Sequence, residues 1–245
     1  MNNRLALLAR CVSMVVLLFA TGCGIIDYFL LPPPDDTAQE LFELGKEAMQ
    51  EKNYSKAAEQ FTQLKDRYPF SPYTPQAELA LGDAFFLDEK FHEAADAYSE
   101  FESLHPSNKE IPYVLYQIGL SNLKTFTSID KPNYPVTEAL QYFYRLRESF
   151  PDSEYAAKAV AHIDSCRRIV ADHEIFVADF YWRTEKYQAA WERYRFVLAN
   201  FADLPGVSDY VTKRSELAYL KFQEKQSQQT LDRMEGSWRD YFDWL

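Results

Sequence analysis

Three of the seven glycines in this chain, Gly45, Gly82 and Gly119, follow one another at a constant interval of 37 residues. A fixed period of that size marks a stacked repeat, because one short unit cannot bury its own apolar face and must lean on the next. The same residue types return around each glycine. Leu44-Gly45 is followed by Ala57, Phe61, Leu64 and Pro69, and Leu81-Gly82 by Phe85, Ala94, Tyr98, Phe101 and Pro106. Ile118-Gly119 is followed by Ala139, Phe143, Leu146 and Pro151. Gly and Ala suit places where two helices cross closely, large aromatics fill the layer beside them, and each proline closes a second helix.

This pattern resembles the tetratricopeptide repeat (TPR), a helical hairpin. The third unit carries about eight extra residues between its helices, read as a loop over Thr125–Thr137 that holds Pro132 and Pro135. A looser fourth unit runs through Val177-Ala178, Tyr181, Tyr187, Ala190, Tyr194 and Val197, with Ala178 in the glycine's place. Between Pro151 and Tyr187, apolar Ala159, Ile163, Cys166, Val170, Val177 and Phe180 recur at helical spacing. They predict one long helix from Glu154 to Arg183. Residues 207–243 allow a degenerate fifth hairpin with Leu217-Ala218 at its crossing. The expected fold is all-α: a TPR superhelix of about five hairpins, with a long helix joining its halves.

Composition agrees. Seven glycines in 245 residues, against 35 Phe plus Tyr, disfavour α/β nucleotide folds, which need glycine turns at their phosphate sites. The formal net charge is −11. An acidic surface repels nucleic acid and anionic headgroups, so nucleic acid is not an expected partner.

Residues 1–22 read as an export signal. Arg4 and Arg10 precede or open an apolar run from Cys11 to Ala20 that is too short to span a bilayer. Ala20-Thr21-Gly22-Cys23 resembles a bacterial lipobox, with Ala20 where leucine is usual. Cys23 is therefore the expected site of lipid attachment. Three acyl chains there exceed the roughly two that stable anchoring takes. Gly24, rather than an aspartate, follows the cysteine and points to the outer membrane, periplasmic face. Residues 23–36 form the lipidated cysteine and a tether stiffened by Pro32, Pro33 and Pro34. Its Ile25, Ile26, Phe29, Leu30 and Leu31 suit either the bilayer or the first helix. Residues 37–153 then hold hairpins 1–3, and 154–245 the long helix with hairpins 4 and 5.

No GxGxxG, P-loop, HExxH or CxxC is present, and His92, His105, His162 and His173 are scattered. His162 and His173 stand too far apart on one helix to share a metal. Cys166 reads as a small buried apolar residue. No cofactor, metal site or catalytic constellation is expected, so function is expected to lie in binding.

The block Arg67-Tyr68-Pro69-Phe70-Ser71-Pro72-Tyr73, followed by Gln76-Ala77-Glu78-Leu79, exceeds the generic repeat. Leu104-His105-Pro106 before Tyr113-Val114-Leu115-Tyr116 and Phe150-Pro151-Asp152-Ser153-Glu154-Tyr155-Ala156 extend the likeness, as do Glu174–Tyr181 and Tyr187-Gln188-Ala189-Ala190. Over about Cys23–Tyr219 the chain resembles the BamD family of outer-membrane lipoproteins. The resemblance implies a non-enzymatic component of the β-barrel assembly (BAM) machinery, binding the POTRA domains of a BamA-like barrel protein and unfolded outer-membrane proteins. Arg193 aligns with an arginine that the family uses toward POTRA. The stretch after Phe201, and Trp238–Leu245 above all, departs from the family. The competing reading is another periplasm-facing TPR lipoprotein, a scaffold in cell division, envelope maintenance or secretion.

In a TPR stack the first helix of each hairpin lines the concave face. Positions one step round from the crossing then look into the groove: Phe42, Met49, Leu79, Phe86, Tyr113, Tyr116 and Leu123. Their apolar and aromatic character suits an extended, aromatic-rich segment such as the end of an unfolded barrel strand. The alternative is that the tether or a neighbouring turn of the superhelix covers them.

Overall fold

The computed structural model describes the backbone of residues 36–242 and the side chains of 36–234. The export segment, Cys23 and the tether Ile25–Leu31 lie outside the described residues, as does Asp243-Trp244-Leu245.

Among the described residues every regular element is a helix. They are α1 (Ala38–Gln50), α2 (Tyr54–Arg67), α3 (Thr74–Leu87), α4 (Phe91–Leu104), α5 (Ile111–Thr125), α6 (Tyr134–Ser149), α7 (Glu154–Arg183), α8 (Tyr187–Phe201) and α9 (Val207–Phe242). Each packs on its chain neighbour, and α5 also meets α7. That is the contact pattern of a solenoid, where each unit touches only the next.

The glycine period has a direct steric cause. A Cβ built at Gly45 would lie 2.4 Å from the Phe61 ring, at Gly82 2.6 Å from Tyr98, and at Gly119 2.6 Å from Phe143. Phe61, Tyr98 and Phe143 are fully buried, each closing its hairpin over the glycine opposite. Ala178 and Tyr194, both fully buried, hold the corresponding places in the fourth hairpin, formed by the second half of α7 with α8.

Helix starts follow local chemistry. Thr37 and Glu40 form a capping box at α1, the Ser153 side chain accepts from the Tyr155 amide at α7, and prolines sit in the first turns of α3, α5 and α6. The turns within hairpins 1, 2 and 4 share one geometry: Lys52, Glu89 and Glu185 each adopt a left-handed φ near 59°. Each sits where a glycine would be the usual choice.

The long helix runs from Glu154 to Arg183, as its periodicity predicts. Ala159, Ile163, Cys166 and Val170 are buried along it, but Phe180 is exposed because it lies on the far side of the helix from Ala178. The insertion in hairpin 3 is shorter as a loop than the sequence suggested. Pro135 opens α6 instead of sitting in the loop, since a helix tolerates proline in its first turn. The carboxyl-terminal unit is a single continuous helix, α9, over the stretch read as a fifth hairpin. Ala218 is buried there as a crossing residue, but no glycine or proline follows at a place that would turn the chain back.

Candidate functional site

Two polar nodes join successive units, the first more deeply buried than the second. In the first, the hydroxyls of Tyr98 and Tyr113 donate to Asp83 Oδ1 at 2.6 and 2.5 Å. The Gln117 amide donates to both hydroxyls, at 3.1 and 3.0 Å. Burial pushes the Asp83 carboxyl above the usual carboxylate range, against the pull of both tyrosine hydrogen bonds. It also pushes both phenols up, so they act as donors and not as acids. In the second node, Tyr194 and Tyr210 donate to Asp179 at 2.5 and 2.9 Å, and Arg214 Nε donates to the Tyr210 hydroxyl at 3.2 Å. Neither node was anticipated from the sequence. The recurring Asp directly after Gly82 and Ala178 was the available signal.

The seven expected groove residues are all half-buried, and their surroundings differ. Phe42 packs on Phe61 and on Tyr73, with ring centroids 6.1 and 5.5 Å apart. Phe86 meets Phe91 edge-on at 5.4 Å. The first half of α7 lies over Tyr113 and Tyr116: Tyr155 stands 5.4 and 5.6 Å from their rings, and His162 Nε2 hydrogen-bonds the Tyr116 hydroxyl at 3.2 Å. Burial lowers the His162 pKa, with a smaller contribution from Lys124. Leu123 belongs to the same covered stripe of α5, while Met49 packs against the core of hairpin 1. Leu79 is placed differently. With Pro72, Pro75, Gln76 and Asp83 it lines a hollow closed on the other side by Lys109 and Glu110. A lining that mixes apolar side chains with amides and charges suits one apolar side chain of an extended peptide.

Arg193 stands on α8 and does not project freely. Its guanidinium pairs with Glu174 of α7 at 2.7 Å, the arginine side chain 47% and the glutamate 11% exposed. This ion pair was not visible in the sequence, because its two halves lie on different helices. Cys166 is buried, and its thiol is pushed up to about 12, which leaves it unreactive. Among the described residues no cluster of His, Cys, Asp and Glu could hold a metal ion.

Comparison with known proteins adds a pattern that covers both halves. Residues 34–234 match the YfiO family, described as outer membrane lipoprotein. The chain is 29% identical over 161 residues to "Outer membrane protein assembly factor BamD" of Rickettsia prowazekii, which covers 66% of this chain and 64% of that protein. The protein of the same description from Neisseria gonorrhoeae is 27% identical over 202 residues, 78% of this chain and 75% of the other. That from Vibrio cholerae is 26% identical over 180 residues, 69% and 75% respectively. The chain thus spans just under two thirds of the Rickettsia relative's length and three quarters of the other two.

Proposed function

Because the chain belongs to the YfiO family of outer membrane lipoproteins, we propose that it serves in the assembly of outer-membrane β-barrel proteins, anchored through Cys23 on the periplasmic face. The carrying observation is the family match from residue 34 to residue 234, which embraces all four hairpins and most of α9. The role is to bind: the carboxyl-terminal half engages the POTRA domains of a BamA-like barrel protein, and the amino-terminal half receives unfolded outer-membrane proteins. Purifying the lipidated protein from its own cells tests this. Recovery of a POTRA-bearing barrel protein supports it, and its absence from the purified complex refutes it.

Arg193 is the proposed POTRA contact. Its pairing with Glu174 sets the form of the test. Arg193→Glu would set two carboxylates against each other inside the molecule, so a loss of binding could come from misfolding. Arg193→Gln and Glu174→Gln break the same ion pair and are expected to lower stability to a similar degree. Only Arg193→Gln is expected to lose capture of the POTRA protein, by about tenfold or more, because a truncated partner leaves the facing charge unpaired. Equal capture by the two variants would remove Arg193 from the interface.

For substrate, the hollow at Leu79 is the best-supported seat on the amino-terminal half, with Phe86 two turns on along α3. Tyr113, Tyr116 and Leu123 contribute by holding α5 and α7 together. Removing a central apolar anchor commonly costs about 2 kcal/mol in binding. Leu79→Ala with Phe86→Ala is therefore expected to reduce crosslinking to a peptide from a barrel protein's carboxyl terminus by more than tenfold, with circular dichroism unchanged. Undiminished crosslinking would exclude this face of α3.

A further inference from the structure

The turns that carry the chain from one unit to the next, after α2, α4, α6 and α8, share one backbone pattern. The amide of the fourth residue donates to the carbonyl of the first, and the amide of the seventh to the carbonyl of the fourth. After α2, Ser71 donates to Tyr68 and Thr74 to Ser71, each at 3.0 Å. Asn108 and Ile111, Ser153 and Ala156, and Leu204 and Val207 repeat this in the later turns. The third positions can therefore be compared directly: Phe70, Ser107, Asp152 and Asp203, all exposed. Three of them are polar, as a tip in water should be. The first is a phenylalanine that is 98% exposed.

The turn after α2 holds that ring outward. Tyr68 and Tyr73, on either side of it, both pack against the core of hairpin 1, Tyr73 with its ring 5.5 Å from that of Phe42. The almost fully buried Thr74 donates its hydroxyl to the Tyr68 carbonyl at 2.6 Å and closes the turn from beneath. Pro69 and Pro72 flank Phe70 and are exposed with it. The tip Pro69-Phe70-Ser71-Pro72 thus carries no charged side chain, in a chain of net charge −11.

The place of this turn in the chain says what the ring meets. The Tyr68 hydroxyl donates to the carbonyl of Asp36 at 2.9 Å, so the turn clasps the point where the tether joins α1. From Cys23 to Asp36 there are 13 peptide steps, which reach at most about 45 Å. The turns with Ser107, Asp152 and Asp203 at their tips belong to units further along the solenoid. The apolar tip stands where the tether arrives, and the polar ones stand away from it.

We propose that Pro69-Phe70-Ser71-Pro72 is a second membrane contact, with the Phe70 ring inserted below the headgroups of the bilayer that holds the anchor. The inference rests on the reading of Cys23 as the lipidated residue. Lipid attachment at one point leaves a protein free to swivel on its tether, and a second apolar contact beside the tether's end restrains it. The contact needs no anionic lipid, which the acidic surface would repel. A protein occupant would give no reason for the apolar tip to be confined to the turn that clasps the tether.

Full-length lipidated protein in phosphatidylcholine vesicles tests this, with an environment-sensitive fluorophore attached through Pro69→Cys or, at the matched place in the next turn, Pro106→Cys. Cys166 is buried and does not compete for the label. Lipids with a nitroxide on the acyl chain are expected to quench the label at position 69 by about twofold or more, and the label at 106 far less. Adding Phe70→Ser to Pro69→Cys is expected to bring its quenching down to the level at 106, with flotation of the protein on the vesicles unchanged. In cells, a photo-crosslinking phenylalanine analogue in place of Phe70 is expected to yield lipid adducts. Flotation with equal quenching at both positions, with none at 69, or with quenching indifferent to Phe70→Ser would overturn the membrane contact alone. An adduct with a protein in place of lipid would do the same. Failure of the protein to float would overturn the Cys23 anchor and this inference with it.

Discussion

Gly82→Leu is expected to melt many degrees below the parent protein. The first atom added would already lie 2.6 Å from the Tyr98 ring. Tyr98 is fully buried, and its hydroxyl is held by Asp83 and Gln117, so the ring cannot slide aside without breaking the node. Overpacking of this kind usually costs about 1–3 kcal/mol, and more where the neighbours are fixed. In a chain of this size each kcal/mol lowers the melting temperature by about 2–4 °C. Gly82→Ala is expected to show a smaller loss in the same direction. Ala178→Gly, at a crossing that already accommodates a Cβ, is expected to gain nothing from the extra room. Thermal and urea unfolding followed by circular dichroism measure all three, and a parental midpoint for Gly82→Leu would mean that the hairpins cross less closely than described.

Asp83→Leu is expected to destabilise the junction of hairpins 2 and 3 by about 3 kcal/mol or more. It leaves the buried Tyr98 and the half-buried Tyr113 hydroxyls without their acceptor, at about 1–3 kcal/mol for each unsatisfied buried group. Asp83→Asn retains an acceptor oxygen and isolates the contribution of the charge. Burial raises the Asp83 pKa above the ordinary 3.8. Between those two values the folded protein holds a proton that the unfolded chain has released. The stability that Asp83 contributes is therefore present at low pH and is lost as pH rises through the folded-state pKa. Subtracting the urea midpoints of Asp83→Asn from those of the parent, from about pH 4 to about pH 7, is expected to give a difference that falls with pH. A difference that rises instead would mean that the two tyrosine hydrogen bonds outweigh burial.

Features generated by local spacing were legible in the sequence. The three glycines, their aromatic partners and the limits of α7 follow from periodicity, which records packing between elements close in the chain. Features that join residues from separate helices were not. Glu174 and Arg193 are 19 positions apart, and Tyr113 meets Asp83 across 30, with no local pattern announcing either pair. The expected groove shows the same division. Identifying first-helix positions beside the crossing picked out residues that are indeed half-buried. It could not tell Leu79, which lines a hollow, from Tyr116, which α7 covers, because α7 returns to α5 from beyond an intervening helix. The fifth unit misled for a related reason: Leu217-Ala218 satisfies the crossing pattern, but a crossing fixes a neighbour only on the side where one exists.

Helix α7 runs 30 residues without a break, covering α5 with its first half and forming hairpin 4 with its second. It works as a crankshaft whose two throws, at Tyr155 and at Asp179, are fixed in phase by helical geometry. One residue inserted between them would turn one half of the molecule by about 100° relative to the other and move it about 1.5 Å along the axis. Four inserted residues would come within about 40° of the original phase, but some 6 Å displaced. The angle between the surface at Leu79 and the surface at Arg193 is therefore set by counting residues in one helix, and a length change there would alter the aim of each surface while leaving its chemistry untouched.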